Sequence, residues 1–285
     1  MPIRPAEPGD NLPEISFIMP CFNEEGVIPY TIPQFVHAFE QAGRRLELVV
    51  CDNGSSDGTG EIVRRFAAEG MPIVLHRVDV NTGFGNGILS SLPFCRAPWI
   101  GVIPADGQVD AEDVVRLFDT IRHTDGSVLG KVRRRFRMDG LVRKVVSILY
   151  NLMVWSLWPK LGSLDINGNP KIIHRAVIDA MDLQSRQWFL DAEIMVKAHY
   201  LGVRVLEMNV FGRMRSHGVS HVGASTCWEF FSKLLALRFG ATLSEWRRQH
   251  PGPFLSATRP DGAASDDARA LAGDAAHSTP TATRK

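Results

Sequence analysis

The sequence predicts an α/β fold built on a mostly parallel sheet flanked by helices. Short apolar runs alternate with stretches of helical periodicity through the first half of the 285 residues. Strands alternating with helices favour a parallel sheet covered on both faces. Polar and glycine-rich clusters fall directly after the apolar runs, where open sheets of this class bind ligands.

Ile15–Met19, Leu46–Cys51, Ile73–Val78 and Trp99–Ile103 read as buried strands, each short and rich in β-branched or aromatic residues. Helical patterns lie between and after them at Val27–Gly43, Gly58–Gly70, Asn86–Ser91 and Ala111–His123. The second half is less regular. A basic cluster and a long apolar helix occupy residues 131–160; a short strand at 171–173, a helix over Asp191–Leu201, a strand over Arg204–Val210 and an amphipathic helix over Trp228–Phe239 follow. Residues 1–13 read as a flexible N-terminus and 14–240 as one catalytic domain. From 250 to 285 the composition shifts to Ala, Asp, Thr, Pro and Gly and aliphatic periodicity fades, which predicts a disordered tail.

The bulk numbers exclude some classes. Lys+Arg of 32 against Asp+Glu of 31 leaves a net charge of +1, which argues against a nucleic-acid partner. The cysteines Cys21, Cys51, Cys95 and Cys227 form no CxxC pair, which argues against a zinc site or a disulfide framework and fits a reducing compartment. Neither a signal-peptide pattern nor an uncharged apolar stretch long enough to span a bilayer is visible, so a cytoplasmic location is expected.

The strand ends carry the chemistry. Pro20-Cys21-Phe22-Asn23-Glu24-Glu25 follows the first strand, and Cys51-Asp52-Asn53-Gly54-Ser55-Ser56-Asp57-Gly58-Thr59 closes the second. Asp52 can accept hydrogen bonds from a base or ribose, while Ser56 or Asp57 can cap the next helix. Asn81-Thr82-Gly83-Phe84-Gly85-Asn86-Gly87, after the third strand, is either a phosphate-approaching turn or a tight turn feeding a helix; it fits neither a P-loop nor GxGxxG. After the fourth strand, Asp106 and Gln108 can share one hard divalent cation with a diphosphate. Asp110 and Glu112 suit the start of the next helix.

In this order and spacing, PCFNEE, CDNGSSDGT, NTGFGNG and PADGQ resemble the family 2 glycosyltransferases of GT-A (Rossmann-like) fold, over roughly residues 14–240. Asp165-Ile166-Asn167-Gly168-Asn169-Pro170-Lys171 and Arg213-Met214-Arg215-Ser216-His217-Gly218-Val219-Ser220 look like the branch that glycosylates polyprenyl or dolichyl phosphates. The resemblance implies a UDP- or GDP-hexose donor, Mg2+ or Mn2+, inversion at the anomeric carbon and a polyprenyl phosphate acceptor. It implies donor contacts at Pro20, Asn23, Glu24, Asp52, Asn53, Gly83, Asp106 and Arg215, with Asp106 and Gln108 on the metal. Two departures stand out: Pro104 replaces the first acid of the family's Asp-x-Asp, and Asn53 replaces a second Asp.

Asp191-Ala192-Glu193 resembles the family's acidic pair near the reaction centre. Asp191 would be a general base toward a hydroxyl, but would mainly orient groups if the acceptor is an already ionised phosphate. Arg215 suits a diphosphate leaving group. Lys131, Arg133, Arg134, Arg135 and Arg137 make a basic cluster, followed by a greasy helix over Leu141–Trp158 on which Arg143, Ser147 and Asn151 are spaced four apart. Trp155 and Trp158 near its end suit a helix lying in a membrane interface. Arg143 and Ser147 match the branch's lipid-phosphate residues, with Arg133 as a further contact. The expectation is a peripheral enzyme on the cytoplasmic membrane face. The rivals are a family 2 enzyme acting on the hydroxyl of a soluble acceptor, and a non-catalytic nucleotide-sugar or lipid-binding module.

Overall fold

The computed structural model describes residues 12–134, 141–163, 165–212 and 224–252; the side chains of 134, 141–147 and 224–229 fall outside that description. The N-terminal half runs β1 (Ile15–Cys21), α1 (Ile28–Gln41), β2 (Leu46–Asn53), α2 (Thr59–Ala68), β3 (Ile73–Val78), α3 (Phe84–Ser91), β4 (Trp99–Val102) and α4 (Ala111–Ile121). Then come β5 (Val128–Arg134), α5 (Leu141–Leu157), β6 (Lys171–His174), α6 (Arg175–Met181), α7 (Leu190–Tyr200), β7 (Arg204–Val210), α8 (Ala224–Phe239) and α9 (Ala241–Gln249).

The strands form one sheet in the order β3-β2-β1-β4-β6-β5-β7. β1 pairs parallel with β2 and β4, β2 with β3, and β5 with β7. Only β6 runs against its neighbours among the described residues, which brings its first residue, Lys171, opposite Val102 at the C-terminal end of β4. β2 is buried throughout and β1 nearly so, as expected of central strands covered on both faces. One core cluster packs α1 and α4 on the sheet around Phe17, Phe35, Phe39 and Phe118. Phe17 meets Phe35 edge-on at 5.0 Å and Phe39 at 5.6 Å. Gly101 on β4 makes room for that ring, since a Cβ there would lie 2.2 Å from Phe17 Cε1. The second cluster covers the opposite face with α3, α6 and α7, and takes in Val154, Trp158 and Trp246.

β5 was not expected. Its sequence, VLGKVRR, reads as the start of a basic loop, yet Leu129, Lys131 and Val132 are all fully buried in it. Two further elements were also missed. α6 continues straight from β6, and α9 carries the packed chain beyond residue 240, with Leu243 and Trp246 buried and Trp246 Nε1 donating to Ala180 O at 3.1 Å. The proposed disordered tail falls, from residue 253 on, outside the described residues.

Candidate active site

The ends of β1 and β2 are laced into one shelf. Asn23, at φ 55°, donates its backbone N–H to Ser55 Oγ at 3.0 Å, and its side-chain oxygen accepts from Ser56 N at 2.9 Å. Glu24 N donates to Thr59 Oγ1 at 2.9 Å and Glu25 N to Asp57 Oδ2 at 3.1 Å, while Gly58 N returns a bond to Glu25 Oε2 at 2.7 Å. Asp57 also accepts from Thr59 N at 3.0 Å, but Gly58 holds the cap position of α2, so Asp57 closes the turn before the helix and is not the cap considered for it. Two polar turns from separate strands thereby hold one another at the sheet's C-terminal edge.

Asp52 lies beneath that shelf with no exposed surface. One of its oxygens accepts from Ser55 N at 2.9 Å, and the other is paired with Arg77 at 2.9 Å. Its carboxylate therefore shapes the turn and anchors Arg77, whose own side chain is half exposed at the end of β3. Asn53 donates to Asn81 Oδ1 at 3.0 Å and to Gly83 O at 3.1 Å, tying β2 to the glycine-rich turn.

That turn is clasped from its other side by residues 182–187. Asn86 N donates to Arg186 O at 2.7 Å and Gln187 Nε2 to Thr82 O at 2.9 Å. A Cβ at Gly85 would lie 2.3 Å from Ser185 O, so the glycine admits this strap. Glu193 holds the strap in place: its carboxylate accepts from Gln184 N at 3.0 Å and Ser185 N at 2.8 Å and pairs with buried Lys197 at 2.7 Å. Phe84 and Trp188 stack face to face beside it, centroids 4.5 Å apart and 8° from parallel.

After β4 the chain turns through Pro104–Asp110 into α4. Asp106 Oδ1 accepts from Gln108 N at 3.2 Å, so both side chains start from one tight turn. They line a pocket of about 300 Å3 whose walls include Thr31 and Gln34 of α1, and Asn169 reaches it from the far side.

Asn169 leads to the buried charges. Its side-chain nitrogen donates to both oxygens of Asp191, at 3.3 and 3.2 Å, and Lys171 Nζ pairs with Asp191 Oδ1 at 2.5 Å. The Asn169–Pro170 bond is cis. The side-chain oxygens of Asn167 and Asn169 and the Tyr150 hydroxyl are enclosed and without a hydrogen-bond partner among the described residues. Beside Lys171, its cross-strand partner Lys131 reaches Glu207 at 3.2 Å, Ser163 Oγ at 3.0 Å and the carbonyl of Asp165. Burial, then the nearby Lys171 charge, lowers the Lys131 pKa to about 8.

The likenesses to known proteins follow the same lines. Glycosyl transferase family 2 matches residues 16–189. The chain belongs to that family. Its similarity to the undecaprenyl-phosphate 4-deoxy-4-formamido-L-arabinose transferase of Aeromonas hydrophila subsp. hydrophila is 29% identity over 211 residues, 73% of this chain. This chain spans only 63% of that relative's length. The dodecaprenyl-phosphate galacturonate synthase of Rhizobium johnstonii is 25% identical over 232 residues, 79% of this chain and 67% of the relative. Among solved structures, glucosyl-3-phosphoglycerate synthase from Mycobacterium tuberculosis, in complex with Mn2+, UDP and glucosyl-3-phosphoglycerate, superposes with a TM-score of 0.62. It is 22% identical and is matched over 79% of this chain and 80% of that one, a likeness of fold. The family 2 sheet with its flanking helices is thus the GT-A architecture the sequence predicted.

Within this family 2 fold, several expected residues come together and others do not. Pro20, Asp52 and Asn53 lie in the last residues of β1 and β2, and Asn23, Glu24, Gly83, Asp106 and Gln108 follow the C-terminal ends of β1, β3 and β4. Arg215, and the side chains of Arg143 and Ser147, lie outside the described residues. Arg133 is part-buried in β5. Lys131 is corrected from a member of an exposed basic entrance to a fully buried strand residue, because Glu207 and Ser163 satisfy its charge inside. Trp158 is corrected from an interface anchor to core: it is 3% exposed and bonds Tyr200 Oη at 3.2 Å. Trp155 donates to Ser163 O at 2.9 Å, and Asn151, the third member of the expected polar stripe, accepts from Ile166 N at 3.3 Å. Among the described side chains of α5, the large apolar ones turned outward are Ile148, Leu149 and Leu152. The convergence of Lys171 and Asn169 on Asp191 was not expected; a lysine opening a strand and an acid opening a helix hinted at the ion pair.

A metal fits this donor set modestly. Among the described residues no three His, Cys, Asp or Glu side chains converge on one point. Asp106 and Gln108 provide hard oxygens, enough for Mg2+ or Mn2+ when diphosphate and water complete the shell.

Proposed function

We propose that this chain transfers a hexose, with inversion, from a UDP- or GDP-sugar to a polyprenyl phosphate at a membrane surface. The observation that carries this reading is the buried clamp on Asp191. A carboxylate paired with Lys171 and receiving two further contacts from Asn169 has its oxygens already engaged and turned to neighbours inside the protein, an arrangement that orients groups rather than reaching for an acceptor hydroxyl. An acceptor that arrives ionised needs no such base. The relatives named for undecaprenyl- and dodecaprenyl-phosphate substrates support the same acceptor class.

In this reading the β1–β2 shelf and the Asn53–Gly83 contact cradle the nucleoside and diphosphate, with Asp52 keeping Arg77 at the rim. Asp106 and Gln108 would hold Mg2+ or Mn2+, which supplies charge neutralisation on the diphosphate when bound. An acceptor phosphate oxygen attacks the anomeric carbon as the bond to the diphosphate oxygen breaks, and the nucleoside diphosphate leaves. Arg215 steadies the growing negative charge, and Arg143, Ser147 and Arg133 hold the acceptor phosphate. Ile148, Leu149 and Leu152 on α5, with Phe231 and Phe239 on α8, form the apolar surface that lies on the bilayer. No helix among the described residues is long and apolar enough to cross it. We assign the cytoplasmic face, in keeping with the free, buried Cys21, Cys51 and Cys95.

The test is a panel of UDP- and GDP-sugars offered with a short polyprenyl phosphate and Mg2+ or Mn2+. One sugar reaching the lipid phosphate is expected; glycosylation of a soluble alcohol instead would move the assignment to the hydroxyl-acceptor rival.

A further inference from the structure

The reading above leaves one enclosed polar group on α5 without a task. Tyr150 is half-buried as a residue, and its ring leans on Phe230 of α8 at 5.3 Å. Its hydroxyl is nonetheless shut off from solvent, with no hydrogen-bond partner among the described residues. A buried hydroxyl without a partner costs stability, so its persistence needs a reason.

Its surroundings narrow that reason. Burial, and then the charge of nearby Asp191, push the phenol pKa up, so the group keeps its proton and acts as a donor. Asp191 is already supplied with donors by Lys171 and Asn169, so the free phenol is not needed to satisfy it. With Lys171 matching the Asp191 charge, an incoming anion meets no net repulsion from that pair. By helical spacing, position 150 lies three residues beyond Ser147 and seven beyond Arg143, so the three positions share one stripe of α5.

We propose that the Tyr150 hydroxyl donates a hydrogen bond to a non-attacking oxygen of the acceptor phosphate, holding the phosphomonoester beside Asp191. This rests on the phosphate-acceptor reading and adds to it a binding residue. A phosphate oxygen is a strong, charge-assisted acceptor, and it completes a donor left open among the described residues. A neutral alcohol acceptor would gain less from the same contact.

The experiment is Tyr150→Phe in the full chain, which removes the oxygen and keeps the ring on Phe230. Kinetics are measured with a short polyprenyl phosphate varied at saturating nucleotide sugar, then with the nucleotide sugar varied, beside thermal unfolding. The proposal expects the KM for the lipid phosphate to rise about 10- to 100-fold, with the donor KM held within about twofold. It also expects a Tm equal to or above that of the unaltered chain. An unchanged lipid-phosphate KM overturns it. So does a fall in kcat alone, which would place the hydroxyl on Asp191, and so does a clear loss of Tm, which would reveal a structural partner. If the unaltered chain glycosylates no lipid phosphate, the acceptor reading itself fails and this inference goes with it. If it does so while Tyr150→Phe matches it, only the role of Tyr150 falls.

Discussion

Replacing Lys171 by Met should expose how much of the site rests on the Lys171–Asp191 pair. The two side chains are 1% and 7% exposed, so neither charge is screened by water. Lys171→Met leaves Asp191 enclosed with the Asn169 amide as its one side-chain donor among the described residues, and breaking a buried pair in this way costs about 3–5 kcal/mol. At about 2–4 °C per kcal/mol for a domain of this size, Tm should drop by roughly 6–20 °C. Asp191→Asn should cost a similar amount, because it strands the Lys171 charge beside that of Lys131. The double variant removes both charges and keeps an oxygen for Asn169 to bond. Its loss should stay below about 2 kcal/mol, giving a coupling energy of at least about 4 kcal/mol from the smallest single losses. Urea unfolding of the four proteins, extrapolated linearly to water, measures this directly. Additive losses would mean that the two groups do not hold one another and that Asp191 is not clamped.

Four further outcomes are expected. Asp191→Asn, assayed well below its Tm, should lower kcat by less than about 100-fold, since a true general base is worth about 100- to 10,000-fold; a larger loss favours the hydroxyl acceptor. Glu193→Gln should loosen the 182–187 strap, costing about 2–4 kcal/mol and raising the KM for the nucleotide sugar, as calorimetry and kinetics would register; an unchanged donor KM would detach the strap from the glycine-rich turn. For Lys131 the folded pKa of about 8 lies below the ordinary lysine value, so the unfolded chain binds more protons above that pH. The Lys131 contribution to stability therefore rises between about pH 8 and 10.5, by up to roughly 3 kcal/mol, relative to Lys131→Met; parallel stability profiles for the two proteins would contradict this. Leu149 and Leu152 are 59% and 58% exposed, so changing both to Ser should weaken binding to anionic lipid vesicles. The expected loss is about 2–4 kcal/mol, or one to three decades, read by vesicle co-sedimentation.

The parts of this molecule that could be read from sequence are those whose physics is local. β1, β2 and β4 are continuous apolar runs because both faces of a central parallel strand are covered, and their polar ends stand out by contrast. The β1–β2 shelf was legible for the same reason. Lys131 was not: a charge inside a strand reads as surface, and the partner that lets it be buried, Glu207, lies 76 residues further on. Glu193 was taken with Asp191 as an acidic pair near the reaction centre, but its bonds go to the strap and to Lys197, which sequence spacing alone does not reveal. α5 shows the limit of periodicity. A helix greasy on most sides does not declare which side faces inward, and Val154 and Trp158 went to the core while Ile148, Leu149 and Leu152 stayed outside.

Transfer to an ionised lipid phosphate is tested most directly by offering the enzyme a choice. A labelled nucleotide sugar, chosen from the donor panel, is supplied with a short polyprenyl phosphate and, in parallel, with the same polyprenol lacking its phosphate. Label should move to the phosphate and be left off the alcohol. Label on the alcohol at a comparable rate would contradict it.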